Sequence, residues 1–236
     1  DYLSAIALAT EALDVWRSLK AGRERLVALN VLSSAEYYRG RYTRDSARAA
    51  LGLSGDVALF FGYVRHYKGL DTLLEAWPAV RASRPATLVV AGEFYEDDAP
   101  YRRLADSAGD SVRLLPRYVP DDEVEALFKA ADVVVLPYRS ATQSGVTHVA
   151  YALGVPVITT DVGGLSETVV PGETGLVTPP EQPAALAAAI VRFFEAGMAP
   201  HLRAGVERVR REHSWSALAD RTLELADQLR PARGWR

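Results

Sequence analysis

The chain has 236 residues, 49% of them hydrophobic and 24% charged, and carries a formal net charge of -3. That composition argues against disorder and fibres and offers no basic patch to nucleic acid or to an anionic membrane. The lack of cysteine excludes disulfides and thiolate metal sites. Such a size suits one large domain, or one domain plus part of another.

No apolar stretch approaches the length of about 20 residues that a membrane-spanning helix needs, and the N-terminus lacks the basic start and apolar core of a signal peptide. The expected location is cytoplasmic, or peripheral at the inner membrane face. The chain opens on Asp1 and its only methionine is Met198, so it is expected to begin inside a longer protein.

Residues 1 to 50 supply a helical stretch ("AIALATEALDVWRSL"), an apolar run ("RLVALNVL") and a polar link ("SSAEYYRGRYTRDSARAAL"). That is too little for a domain, and residues 1–54 are read as the trailing end of a preceding domain with its linker. From Gly55 the pattern changes. Short β-branched runs, "DVALFF" from 56, "ATLVVAG" from 86, "SVRLLP" from 111, "DVVVLPY" from 132, "VPVITT" from 155 and "GLV" from 175, alternate with helical stretches. Runs that are apolar on both faces and separated by helices are what a parallel sheet buried under helices requires, so the class is α/β, doubly wound and Rossmann-like.

Between the runs, Lys68 to Arg81 carries Leu70, Leu73, Leu74 and Trp77 on one face, with Pro78 expected to kink or shorten the helix. Asp121 and Asp122 mark a helix start before a stripe of Val124, Leu127 and Phe128. Pro183 opens another helix and Gly197 stops it. The sheet domain is expected to span 55–213, followed by an amphipathic helix capped by Ser214 and a frayed tail over 214–236.

In the common doubly wound order 3-2-1-4-5-6, strands 1 and 4 are neighbours, and ligands bind in the crevice at their carboxyl ends. The loops that follow them, "GYVRHYKG" (62–69) and "PYRSATQSG" (137–145), should therefore meet. Gly62 lets backbone approach a ligand, while Arg65 and Lys68 place two cations at a helix start, which suits a diphosphate. Lone surface charges explain the same pair without a ligand. Ser144 and Gly145 begin a helix whose unpaired N–H groups, that of Val146 among them, favour an anion, although a serine there is equally a plain N-cap. The loop's hydroxyl and amide groups can orient phosphate or sugar hydroxyls, whereas a carboxylate would repel phosphate.

Four stretches, "FFGYVRHYKGLDTLLEAW", "RYVPDDEVEALFKAADVVVLPY", "ALGVPVITTDVGGLSETVVPGETGLV" and the late "HSW", together resemble the C-terminal, donor-binding domain of GT-B glycosyltransferases of family 4. Those are retaining enzymes that use nucleotide-diphosphate sugars. The resemblance covers about Gly55 to Leu229, and "EYYRGRY" resembles the connector before that domain. It implies that most of the acceptor-binding N-terminal domain is missing.

The resemblance matches Lys68 to the lysine that holds the donor diphosphate. The usual partner arginine directly follows the glycine, where this chain has Tyr63; Arg65 lies two positions on, and alternation aims it to the same side. Tyr118 and Val119 fall where backbone groups meet the base. Two glutamates that many members use for the donor sugar and ribose are absent: Thr142 stands at the first position, and Val149 or Ala150 at the second, because the segment is one residue short. The "TQSGV" form resembles a branch in which amides and hydroxyls take over, which assigns that work to Thr142, Gln143 and Ser144. His148 is a further candidate, its plainer reading being a satisfied core histidine. Glu167 matches a family acid near the site, with capping or pairing at a short helix as the alternative. Glu93 should face the crevice, with a surface role as the simpler reading. The acids at 96–98 and 121–122 look superficially like metal ligands, but a polar loop and a helix start explain them better.

The implied reaction transfers a sugar from the nucleotide diphosphate to an acceptor hydroxyl with retention, without a metal or other cofactor. Arg65, Lys68 and the helix start at Gly145 would supply positive groups where charge builds on the departing diphosphate. No enzymic nucleophile stands out, which suits same-face attack. The implied partners are the nucleotide-sugar donor, a saccharide or glycolipid acceptor and the missing N-terminal domain; polysaccharide biosynthesis follows by analogy. The absent glutamates leave open a nucleotide-sugar binding module without catalysis. A sugar epimerase of the same architecture fits less well, for want of acid and base residues.

Overall fold

The structure is a computed structural model in which residues 40–142 and 144–212 are described. Gly40–Glu207 form one compact unit. Each of the six apolar runs becomes a strand: β1 (Asp56–Phe61), β2 (Ala86–Ala91), β3 (Val112–Leu115), β4 (Val133–Leu136), β5 (Val157–Thr160) and β6 (Gly175–Thr178). They pair in parallel in the order β3-β2-β1-β4-β5-β6. Every residue of β4 and β5 is buried, which leaves neither face for water and obliges helices to cover both. The fold is therefore the doubly wound α/β class expected.

Among the described residues the helices are α1 (Arg44–Leu51), α2 (Leu70–Ser83), α3 (Ala99–Ser107), α4 (Asp121–Ala130), α5 (Gly145–Ala152), α6 (Leu165–Thr168), α7 (Pro183–Glu195) and α8 (Ala199–Glu212). The apolar stripe of α2 is buried, partly against α7, and the fully buried Trp77 donates its indole N–H to Ser111 Oγ at 3.2 Å. Pro78 does not shorten α2, which continues through it to Ser83. Burying Leu70, Leu73, Leu74 and Trp77, at about 2 kcal/mol each, outweighs a helix-interior proline penalty of about 3 kcal/mol. The start of this helix differs from expectation: His66–Lys68 form a separate 3-10 turn, closed by Gly69 at φ 64°.

The stretch read as a polar link contains α1, a helix with a reciprocal capping box between Thr43 and Ser46. Only Ala47 of α1 is buried, and buried charges hold the helix in place against α4. The carboxylate of Asp132 accepts from Arg44 at 2.6 Å, from Arg48 at 2.7 Å and from the Val57 N–H at 2.9 Å. Glu125, also buried, accepts from the N–H groups of Arg41 and Tyr42, both at 3.3 Å. The compact unit thus begins at Gly40, upstream of the Gly55 boundary read from the strand pattern. Helices α3 and α8 were not among those expected, and the helix expected from Ser214 lies outside the described residues.

Replacing Asp132 leaves two guanidinium groups and a backbone donor without their carboxylate. Asp132→Ala should therefore cost about 3–5 kcal/mol in urea unfolding, with Asp132→Asn recovering part of the loss. An effect below about 1 kcal/mol would show that these pairs do not anchor α1.

Candidate functional site

Strands β1 and β4 are neighbours, with Ala58 opposite Val133 and Leu59 opposite Val134, so their two loops emerge side by side. The contact between the loops is close. A Cβ on Gly69 would stand 2.0 Å from the Pro137 carbonyl oxygen. The Arg139 N–H donates to the Tyr67 carbonyl at 2.7 Å. The Arg139 guanidinium donates to both Asp71 oxygens at 2.9 and 2.8 Å, to the His66 carbonyl at 2.7 Å and to Glu181 at 3.1 Å. Burial would raise the Asp71 carboxyl, but the Arg139 hydrogen bonds, with help from neighbouring backbone N–H groups, more than offset it and hold the pKa below the usual range. The one arginine of loop 137–145 is thus committed to fastening the two loops.

Gly62 ends β1 at φ 104°, and a Cβ there would lie 3.0 Å from Lys68 Nζ and 3.7 Å from Val146 Cγ2. The lysine of one loop and the first turn of α5 from the other therefore converge on a single glycine. Lys68 is only 8% exposed, and no carboxylate among the described residues pairs with it. Its ammonium lies 5.5 Å from the centre of the Tyr138 ring. Burial, and secondarily the Arg65 charge, pull its pKa from 10.5 to about 8.

Tyr138, 2% exposed, links this lysine to α5: its hydroxyl lies 3.4 Å from Ser144 Oγ. Burial pushes the phenol up to about 12, which keeps it neutral. Ser144 stands at the N-cap position of α5, but its side chain makes no capping bond; only its carbonyl accepts, from the Thr147 N–H at 3.2 Å. Among the described residues no acceptor meets the Gly145 or Val146 amide. A helix start left open beside a buried, unpaired ammonium is chemistry for an anion.

Arg65 and Tyr63 project to the same side, as alternation required, and both meet Tyr95. The Tyr63 and Tyr95 rings are 4.8 Å apart, and the Arg65 guanidinium carbon lies 5.0 Å from the Tyr95 centroid. Behind loop 137–145, a Cβ on Gly163 would stand 1.7 Å from the Ala141 carbonyl oxygen, and the Gly164 N–H donates to the Thr142 carbonyl at 3.0 Å. Thr142 is exposed, and Gln143 lies outside the described residues. His148 is exposed on α5, which overturns its reading as a core histidine. Tyr118 is exposed and Val119 buried in the loop between β3 and α4; the Tyr118 carbonyl already accepts from Arg117 at 3.1 Å. Glu93 and Glu167 are both exposed, and α6 has no side-chain cap.

Sequence reasoning missed Tyr138, Arg139, Asp71 and Tyr95. Each acts through a partner distant in sequence or through burial, and neither leaves a local mark in the chain. Among the described residues no cluster of His, Asp and Glu could hold a metal ion, and no helix is long and apolar enough to cross a membrane.

Residues 55–196 match the family described as "Glycosyl transferases group 1". A D-inositol 3-phosphate glycosyltransferase of Jonesia denitrificans is 32% identical over 202 residues, covering 81% of this chain and 48% of the relative. A glycogen synthase of Mycobacterium tuberculosis is 32% identical over 174 residues, covering 71% and 41%. The chain thus spans about half the length of the curated relatives it matches. Among solved structures, sucrose-phosphate synthase from Thermosynechococcus elongatus superposes with a TM-score of 0.65 at 32% identity, over 80% of this chain and 49% of that one. Anabaena HepE, at 20% identity and a TM-score of 0.64 over 79% and 52%, shares the fold.

The burial of Lys68 has a cost that can be measured. Its pKa in the fold lies below its unfolded value, so between about pH 8 and 10.5 the unfolded chain holds more protons and stability should rise with pH. Lys68→Met should accordingly raise the urea midpoint at pH 7, and the gain should shrink as pH rises through that window. A loss of stability at pH 7 would show that the ammonium is compensated.

Proposed function

Because the chain belongs to the group 1 glycosyltransferases, we propose that it carries the nucleotide-sugar-binding half of a retaining, metal-independent hexosyltransferase. The observation that carries this reading is the convergence of Lys68 and the open first turn of α5 on Gly62. An anion placed there meets the buried ammonium, the amides of Gly145 and Val146 and, after a short swing, the Arg65 guanidinium. The HepE structures, which share this fold, are complexes with UDP, with UDP-glucose and with UDP and glucose.

The donor diphosphate takes this position in our reading, with Gly62 giving it room. As the bond to the sugar breaks, negative charge grows on the leaving oxygen; Lys68 is a positive group already fixed beside it, and Arg65 supplies a second once its guanidinium has swung from Tyr95. That is the service a bound metal would otherwise render. Thr142, Gln143 and the Ser144 hydroxyl, with His148 on the exposed side of α5, would contact the donor sugar or ribose. Backbone groups at Tyr118 and Val119 would meet the base. A saccharide or glycolipid acceptor would come from the side of a preceding domain, whose trailing end we assign to the residues upstream of the sheet unit. The acceptor attacks the same face that the diphosphate leaves, with the departing diphosphate oxygen taking its proton.

Thr142, with Val149 or Ala150, in place of two family glutamates favours a second reading, a module that binds nucleotide sugar without turnover. Calorimetry with UDP and GDP on this chain, then hydrolysis and transfer assays on the full-length protein, separate the two; tight binding with no turnover selects the module.

The donor reading makes two quantitative demands. Losing two charge-assisted contacts of about 1.5–3 kcal/mol each, the double variant Arg65→Ala, Lys68→Ala should bind UDP or GDP at least about a hundredfold more weakly. Gly145 is exposed, and a Cβ on it would touch nothing. Gly145→Ala should therefore leave unfolding unchanged within about 0.5 kcal/mol yet weaken nucleotide binding about tenfold. Undiminished affinity in the double variant would remove the site from the reaction.

A further inference from the structure

Beyond Gly62 and Gly92 the pairing of β1 with β2 does not stop. Val64 and Phe94 form a further parallel bridge, with the Val64 N–H donating to the Glu93 carbonyl at 2.8 Å and the Tyr95 N–H to the Val64 carbonyl at 3.2 Å. The two strands are pressed together at its base, where a Cβ on Gly92 would lie 2.1 Å from the Gly62 carbonyl oxygen. Alternation then sorts the side chains of this short extension. Val64 is fully buried and Phe94 packs on Tyr101 at 5.5 Å, which fixes the underside. Tyr63, Arg65, Glu93 and Tyr95 all stand on the solvent side, the two tyrosines 46% and 52% exposed.

A backbone this firmly held presents its aromatic surface at little further entropy cost to a ligand. Neither tyrosine contributes to the core, and they are two of only five large hydrophobic side chains exposed among the described residues. Their rings meet at 81°, so they enclose a corner and not the parallel slot that would sandwich a planar base. A pyranose suits that corner. Its axial C–H face packs on an aromatic ring, while its equatorial hydroxyls can accept from a guanidinium and donate to a carboxylate. Arg65 and Glu93 supply both.

We propose that Tyr63, Arg65, Glu93 and Tyr95 form a pyranose-binding subsite for the saccharide acceptor. The assignment rests on the donor reading above, since Arg65 belongs to both places and ties the subsite to the diphosphate. Same-face attack requires the acceptor hydroxyl to lie beside the leaving oxygen, which a sugar held against Arg65 satisfies. The guanidinium now rests over Tyr95. A diphosphate bound at Lys68 draws it away and uncovers the ring, so the sugar binds more strongly once nucleotide is present.

The test is saturation-transfer NMR on the 236-residue chain with D-glucose, D-mannose, D-galactose and N-acetyl-D-glucosamine, each with and without saturating UDP or GDP. At least one sugar should give signal in the nucleotide complex, and less without nucleotide. Tyr63→Ala and Tyr95→Ala should weaken that binding about tenfold without lowering nucleotide affinity by calorimetry, and Tyr95→Phe should retain it. Three outcomes overturn the subsite: no signal from any of the sugars in the wild-type complex, an undiminished signal in both alanine variants, or a fall in nucleotide affinity that accompanies the lost signal. Failure of wild type to bind either nucleotide sinks the donor reading itself and is seen separately, in the calorimetry.

Discussion

The loops after β1 and β4 are pressed together so tightly that a backbone carbonyl occupies the space of a side chain at Gly69. Everything at the candidate site depends on that closeness. The order of the strands makes the two loops neighbours, but adjacency alone leaves them free to part. Arg139 supplies what adjacency does not. Its planar guanidinium bridges Asp71 in the first turn of α2, the His66 carbonyl in the 3-10 turn and Glu181 after β6. A bidentate carboxylate and a carbonyl fix the orientation of the fork as well as its position, which lysine could not do.

Held in this way, Lys68 is in an unfavourable place. Its ammonium has lost most of its water and faces the ring of Tyr138 instead of a carboxylate. A ring in such a position returns about 1–2 kcal/mol, less than the desolvation it offsets, and burial together with the Arg65 charge lowers the pKa accordingly. Across Gly62 the first turn of α5 has the complementary deficiency of amides that meet no acceptor among the described residues. Two deficits of the same electrical sign, facing one point, are more economically explained by a shared anion than by two separate imperfections in packing.

Much of this was legible in the chain, and the rest was not, for identifiable reasons. The sheet was readable because strands buried on both faces leave unbroken apolar runs, and Gly62, Lys68 and Gly145 stood out because they fall in the loops and the helix start that follow strands 1 and 4. Helix α1 escaped notice since its hold on the domain comes from Asp132 and Glu125, acids far along the chain that no periodicity links to it. Tyr138 and Arg139 were hidden likewise. Nothing local distinguishes an arginine that lashes two loops, as Arg139 does, from one left exposed in a loop, as Arg65 is. The shortening named as one of two outcomes at Pro78 does not occur, because the burial of the stripe beside it outweighs the local penalty.

The glycines separate structural from functional demand better than any other residue type here. At Gly69, Gly92 and Gly163 a Cβ would strike a backbone oxygen within about 2 Å, so the fold alone requires glycine at these positions. Gly145 meets no such obstacle, lies in an ordinary helical turn and is exposed, so the fold itself makes no demand for glycine there. A protein optimised only for stability has no reason to keep glycine at the first position of that helix. A backbone amide that must approach a phosphate oxygen closely has one, because a side chain at this position would stand between them. At Gly62 the left-handed backbone calls for glycine, and an added Cβ would stand 3.0 Å from Lys68 Nζ and 3.7 Å from Val146 Cγ2.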